Sequence, residues 1–242
     1  MGKVRMGVIV PSTNVVVEDE YNAMRAEGTS FHAGRIYIQN ESLDDDAEFE
    51  SFLERLRTQM AFAIRDVVTC KPDCLIMGMS AETFWGGAEG ADRFEAWVKE
   101  QSGLKVATGA KACKAALDVF GARRIGVITP YQPVGDAQVQ QFFTDLGFDV
   151  AAVVGLKCPT ATAIADVGPS EIEEAFRFVD GSDVEALVQA GTNLEAVTTA
   201  ARLEQEIGKP VIAINAATLW HAYRTNGVDA QLQGFGSLFA EH

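Results

Sequence analysis

An internal repeat between the two halves of this 242-residue chain constrains its fold more than any other feature. Residues 4–11, VRMGVIVP, resemble residues 123–130, RRIGVITP, and a polar loop and an amphipathic helix follow each segment. Two further matched pairs occur in the same order, namely 73–80 with 185–192 and 103–107 with 208–212. Because composition alone rarely produces three ordered matches, the repeat predicts two copies of one structural unit.

Apolar runs alternate with helical patterns in the first copy, which is typical of an α/β unit. The predicted strands occupy residues 6–10, 36–38, 74–77 and 104–108, and the predicted helices occupy residues 17–26, 48–68 and 91–100. This alternation predicts a mostly parallel sheet with helices on both faces. We assign residues 1–112 and 220–242 to the first half and residues 113–219 to the second.

The two units are expected to pack about a pseudo-twofold axis. Ligands of open parallel sheets bind beyond the carboxyl ends of the strands, so a cleft is predicted between the halves. Its walls are the loops that follow four strands, with the helix starts near Lys111 and Ala216 at the sides. These loops are Pro11–Asn14, Gly78–Phe84, Pro130–Val134 and Gly191–Asn193.

The charge balance restricts the partners. With 20 basic and 34 acidic side chains, the formal net charge is −14, which argues against nucleic acid. The longest uncharged run, Pro210–Tyr223, contains polar residues and is shorter than the roughly 18 apolar residues of a membrane span. The N-terminus has no signal-peptide pattern. We therefore predict a cytoplasmic protein without a membrane partner, and the sequence leaves a homo-oligomer open.

The cysteines and histidines do not form a metal motif. Four cysteines lack metal-site spacing and are predicted to be reduced thiols, and three histidines are isolated from them. No glycine-rich segment matches a nucleotide-binding pattern. The residues concerned are Cys70, Cys74, Cys113, Cys158, His32, His221 and His242.

The predicted cleft loops carry a family resemblance. The segments PSTN at 11–14, GMS at 78–80, TPY at 129–131, GTN at 191–193 and GFGSLF at 234–239 resemble the aspartate/glutamate racemase superfamily. Within it, the chain is similar to the maleate cis-trans isomerase and arylmalonate decarboxylase branch. The resemblance implies two flavodoxin-like halves, each a parallel four-stranded sheet with flanking helices. It also implies no cofactor and a small carboxylate substrate held in the cleft by hydroxyls and backbone N–H groups.

The resemblance also assigns residues to the substrate. Asn14 and Tyr131 match positions that bind the carboxylate or an enediolate in this family, and Tyr131 is a candidate catalytic residue. The anion pocket is expected to include the neighbouring loop residues, although turn chemistry is an alternative explanation for their polar side chains. These residues are Pro11, Gly78, Met79, Ser80, Gly191, Thr192 and Asn193.

Two glycines replace the residues that carry the family's chemistry. The resemblance implies a cysteine after the third strand of each half in racemases and maleate isomerases, and of the second half only in decarboxylases. Gly78 and Gly191 occupy these positions, so no thiol is available at either one. Cys74, four residues before Gly78, is predicted to be a buried core residue.

Two charged residues are candidates to replace the thiols. Glu82 lies beside Phe84 and Trp85, and loss of hydration there would raise its pKa towards values suited to general acid/base catalysis. The alternative is a first-turn glutamate favoured by the helix dipole. Lys111 begins a helix, where a cation is unfavourable. It is predicted to pair with a substrate carboxylate or Glu82, or else to reach solvent along its stem.

Two classes of function fit these residues. The first is a cofactor-independent enzyme that acts on a small carboxylic acid through an enolate-like intermediate, as an isomerase or a decarboxylase. Within this class, hydrolysis of an amide, lactone or ring is an alternative, because a carboxylate could activate water where a glycine leaves space. The second is a protein that binds small anions without catalysis.

Overall fold

Two parallel four-stranded sheets form the framework of the chain, whose computed structural model describes residues 3–39 and 46–242. The first sheet has the order β2-β1-β3-β4 and the second has the order β6-β5-β7-β8. The strands are β1 (Val4–Pro11), β2 (Thr29–Ile36), β3 (Cys74–Met77), β4 (Lys105–Thr108), β5 (Arg124–Thr129), β6 (Asp149–Gly155), β7 (Ala186–Gln189) and β8 (Val211–Ala213). The shared strand order and parallel pairing confirm the predicted pair of α/β halves.

Helices connect the strands and cover both sheets. They are α1 (Val17–Ala23), α2 (Asp46–Val68), α3 (Ala81–Phe84), α4 (Gly87–Ser102), α5 (Gly109–Phe120), α6 (Pro133–Asp145), α7 (Pro169–Val179), α8 (Val197–Ile207), α9 (Ile214–Thr225) and α10 (Ser237–Glu241), with one 3₁₀ turn at Ala163–Asp166. In the described part of the chain, no helix is long and apolar enough to cross a bilayer.

The second strand is longer than predicted and lies earlier in the chain. We expected it at residues 36–38, but β2 covers Thr29–Ile36 and pairs with β1 along its whole length. Because β2 is an edge strand, half-exposed polar residues such as Ser30 and His32 occupy it and conceal it in the hydrophobicity pattern.

A continuous hydrophobic core joins the two halves. It contains β1 and β5 residues together with the short side chains of α5 and α9, which pack against each other. A Cβ atom at Gly109 would lie 2.6 Å from Ile214 Cδ1, so glycine permits this close helix contact. The predicted boundaries at 112/113 and 219/220 both fall inside these two helices, and the exact division remains a prediction.

Candidate active site

The loops that follow β1, β3, β5 and β7 meet at one cavity of about 150 Å³ between the halves. A volume of roughly this size holds one benzene ring, so the cavity suits a small substrate. Nine of the eleven predicted site residues line it, as does Pro130 from the predicted wall: Pro11, Asn14, Met79, Ser80, Glu82, Tyr131, Gly191, Thr192 and Asn193. Gly78 and Lys111 are not among the lining residues.

Ser80, Tyr131 and Thr192 form a hydrogen-bonded cluster across the two halves. The Ser80 Oγ lies 2.5 Å from the Tyr131 hydroxyl and accepts the Thr192 N–H at 3.1 Å. Burial raises the pKa of Tyr131, which keeps its phenol protonated at neutral pH. Since the two hydroxyls share one hydrogen bond, one O–H group is left to donate to a ligand.

Asn14 lines the cavity and carries a buried side-chain amide. Its Oδ1 accepts the N–H groups of Val16 and Val17, each at 3.0 Å, and so caps the start of α1. Its Nδ2 is buried and has no hydrogen-bond partner among the residues that the structure describes. A buried amide donor without a partner is costly, which marks Asn14 as a position that calls for an explanation.

Asn193 is used to hold loops together. Its Oδ1 accepts the Val15 N–H at 3.0 Å, and its Nδ2 donates to the Ala161 carbonyl at 2.9 Å. Both ends of the amide are therefore engaged. Asn193 contributes to the shape of the cavity wall and joins the loop after β7 to the loops after β1 and β6.

Glu82 supplies an ionisable group in the same cavity. It lies in the short helix α3, directly after the Ser80 turn. Burial raises the pKa of Glu82 to about 7, although its own backbone N–H and the charge of Arg57 favour the ionised form. Near neutral pH, Glu82 is thus present both as carboxylate and as carboxylic acid, and it can accept or donate a proton.

Lys111 does not take part in this arrangement, which corrects the expectation that it pairs with Glu82. Its ammonium group makes ion pairs with Asp92, at 2.6 Å, and with Glu95, both on α4. Although burial acts against it, hydrogen bonds to these carboxylates raise the pKa of Lys111. These two carboxylates explain how a cation is tolerated in the first turn of α5.

The two glycines predicted to occupy the family's cysteine positions have close neighbours. A Cβ atom at Gly78 would lie 2.6 Å from Val10 Cγ1 and 3.0 Å from Val17 Cγ1. A Cβ atom at Gly191 would lie 2.4 Å from Pro130 Cδ. At both glycines, neighbouring side chains therefore occupy the place that a cysteine Cβ atom would need.

Restoring a cysteine at Gly78 is expected to destabilise the protein. Overpacking a core typically costs about 1–3 kcal/mol, and β-branched Val10 and Val17 cannot rotate away without strain. Chemical denaturation of Gly78→Cys under reducing conditions should show this loss, whereas Gly168→Cys, with open space around its Cβ, should stay near wild type. Equal stability of the two variants would show that the β1–α1 packing yields to a side chain.

The sequence did not predict one wall of the cavity. Residues 158–161, from the loop after β6, line it together with Gln132 and Gln138. The repeat contains no matched segment for β6, so this loop carried no motif. Cys158 is thus the thiol that reaches the cavity, and burial raises its pKa, which keeps it protonated and a poor nucleophile.

A family model matches almost the whole chain, and curated proteins resemble it along its length. Residues 6–239 match the model of the arylmalonate decarboxylase family. A maleate isomerase of Nocardia farcinica is 28% identical over 100% of this chain and 97% of its own. A maleate isomerase of Pseudomonas putida is 25% identical over 98% of this chain and 97% of its own.

A solved structure shares the fold. The maleate cis-trans isomerase of Nocardia farcinica, in a form with a covalently bound succinylcysteine intermediate, superimposes with a TM-score of 0.89 at 24% identity. The likeness covers 99% of both chains. That protein carries its intermediate on a cysteine. In this chain, the positions predicted to match the family's cysteines are Gly78 and Gly191.

Proposed function

Because this chain belongs to the arylmalonate decarboxylase family, we propose that it transfers a proton at the α-carbon of a small carboxylic acid through an enediolate intermediate, without a cofactor. Its relatives support an enzyme of the isomerase or decarboxylase type. In the proposed mechanism, the Glu82 carboxyl group performs the acid/base step, in place of the thiols whose positions Gly78 and Gly191 are predicted to occupy.

One observation carries this proposal. The cavity that contains the ionisable Glu82 also contains the Ser80 and Tyr131 hydroxyls and the unpartnered amide of Asn14. The α-carbon can lose H⁺ or CO₂ and keep the electron pair, which places a second negative charge on the remaining carboxylate. Hydrogen-bond donors to that carboxylate stabilise this charge. A base with a pKa near the working pH is suited to the accompanying proton transfer.

In an isomerisation, ionised Glu82 accepts the proton of the α-carbon. The electron pair of the C–H bond forms a double bond to the carboxylate carbon, and the charge moves onto the two carboxylate oxygens. Tyr131 and Asn14 donate to these oxygens. Glu82 then returns the proton to the α-carbon, so atoms and electrons balance. The isomer forms when this proton arrives at the opposite face of the enediolate.

In a decarboxylation, the protonated form of Glu82 is needed. The bond between the α-carbon and one carboxylate breaks, CO₂ leaves, and the electron pair remains as the enediolate of the other carboxylate. Glu82 then donates its proton to the α-carbon and regains one from solvent. With a pKa of about 7, Glu82 can act as the base of an isomerisation or as the acid of a decarboxylation.

The position of Glu82 favours catalysis over simple anion binding. A carboxylate next to an anion pocket repels a bound anion, so a protein that only binds anions gains nothing from it. The hydrolase alternative was inferred from space beside a glycine, and Gly191 lines the cavity whereas Gly78 does not.

Solvent deuterium provides the test. We expect the protein, incubated in D₂O with substituted malonates and with carboxylic acids that carry an α-hydrogen, to incorporate deuterium at the α-carbon of at least one of them. Proton NMR measures this exchange whichever net reaction follows. Turnover without deuterium at the α-carbon would contradict an enediolate, and binding of malonate without any exchange would favour the non-catalytic alternative.

A further inference from the structure

Glu20 is a buried carboxylate outside the cavity that connects the two halves. It lies on α1, three residues after the start of this helix at Val17, and only 8% of its surface is exposed. Burial raises the pKa of Glu20 to about 7, against the effect of three hydrogen bonds that favour its ionised form. The proposed mechanism does not use this group.

The three hydrogen bonds of Glu20 all come from the second half. Oε1 accepts the backbone N–H groups of Ala196, at 3.1 Å, and Val197, at 3.0 Å, at the start of α8. Oε2 accepts the side-chain amide of Asn215 at 2.6 Å. A charged acceptor at a helix start satisfies donors that the helix itself leaves unpaired.

The same contacts fix both ends of the segment 192–197. The Asn215 amide that donates to Glu20 also donates to the Thr192 carbonyl at 2.9 Å. The N–H of Thr192 in turn donates to the Ser80 Oγ, which bonds to Tyr131. A continuous set of hydrogen bonds therefore runs from Glu20 to the anion pocket.

We propose that Glu20 is a positioning residue, which acts through Asn215 to hold the Thr192 loop where its N–H reaches Ser80. Because Asn14 caps the same helix α1, Glu20 sets the loop after β7 in a fixed relation to the loop after β1. This role rests on the proposed function, since the pocket that it orders is the one assigned to the substrate carboxylate.

Glu20→Gln tests this role with little risk to the fold. Glutamine retains the oxygen that accepts the α8 N–H groups. Its NH₂ group, however, replaces the oxygen that accepts from the Asn215 side-chain amide, so two donors face each other. We expect hydrogen exchange at the Thr192 amide, followed by NMR, to become at least about 10-fold faster, while Ala196 and Val197 stay protected. Asp19→Asn, an exposed position on α1, is the matched control and should leave all three amides unchanged.

Ligand affinity separates positioning from a general structural role. By calorimetry, Glu20→Gln should bind malonate about 10-fold more weakly than wild type, the loss expected for one hydrogen bond. In a Ser80→Ala background the same substitution should change affinity less than about twofold, because the group that Thr192 contacts has gone. Additive losses would overturn the proposal.

Hydrogen exchange keeps the two proposals apart. It does not depend on any reaction, so unchanged protection of Thr192 in Glu20→Gln overturns the positioning role even if the enzyme is active. Faster exchange at Thr192 in a protein that exchanges no substrate deuterium would support the positioning role and contradict the proposed function.

Discussion

Replacing Glu82 with glutamine is expected to lower turnover by at least about 100-fold, the lower end of what general acid/base catalysis contributes. Glutamine keeps the shape and the hydrogen-bonding capacity but neither accepts nor delivers the substrate proton. Affinity should not fall, because Asn14, Ser80 and Tyr131 still line the cavity and the repulsion between the Glu82 carboxylate and a bound anion is gone. Steady-state kinetics on the substrate found by deuterium exchange measures both quantities.

The pH dependence gives the direction of the reaction. Burial holds the pKa of Glu82 at about 7. If the carboxylate is the base, kcat/KM rises as pH increases through 7, and if the carboxylic acid delivers the proton, kcat/KM falls over the same range. This change of kcat/KM near pH 7 should disappear in Glu82→Gln. If it persists, another group causes it, and Glu20 is the first to examine.

Stability should change in the opposite sense to activity. A folded-state pKa of about 7 lies above the ordinary value of 4.5, so this carboxyl group favours the fold at low pH, and its contribution is lost as pH rises to 7. At pH 8, Glu82→Gln should therefore be more stable than wild type, by up to about 3 kcal/mol. A gain in stability together with the loss of turnover excludes misfolding as the cause.

A matched substitution controls for the removal of a charge. Glu89 lies on α4, exposed and paired with Arg93. Glu89→Gln should leave turnover and its pH dependence unchanged, because a solvent-exposed ion pair contributes little. Near-normal turnover of Glu82→Gln, measured beside this control, would remove Glu82 from the mechanism.

The sequence predicted those parts of the fold and site that follow from strand order. Parallel strands end at one edge of a sheet, so the loops at Pro11, Ser80, Tyr131 and Thr192 could be brought together from the repeat alone. The edge strand β2 was predicted too late in the chain, because its polar residues do not show a buried pattern.

Packing between distant segments could not be predicted from one sequence. The partners of Lys111 lie on α4, and the space around Gly78 is filled by Val10 and Val17 from β1 and α1. Glu20 was overlooked for the same reason, since nothing in an acidic helix start indicates a carboxylate buried against the other half.

Replacing Tyr131 with phenylalanine should have the second-largest effect and should reduce both affinity and rate. The substitution removes a neutral donor from the pocket and leaves the Ser80 hydroxyl, now bonded only by the Thr192 N–H, without its nearest partner. Loss of one donor to a developing oxyanion typically lowers kcat by about 100- to 1,000-fold.

The comparison of the two variants tests the division of roles between them. Tyr131→Phe should weaken malonate binding as well as turnover, because a donor contacts the carboxylate in both the ground state and the transition state. Glu82→Gln should lower turnover without weakening malonate binding. Tyr37→Phe, at a tyrosine that is 69% exposed, controls for loss of a hydroxyl. If Tyr131→Phe retains wild-type affinity and turnover, the hydroxyl serves only to orient Ser80, and the oxyanion donors must be Asn14 and Ser80.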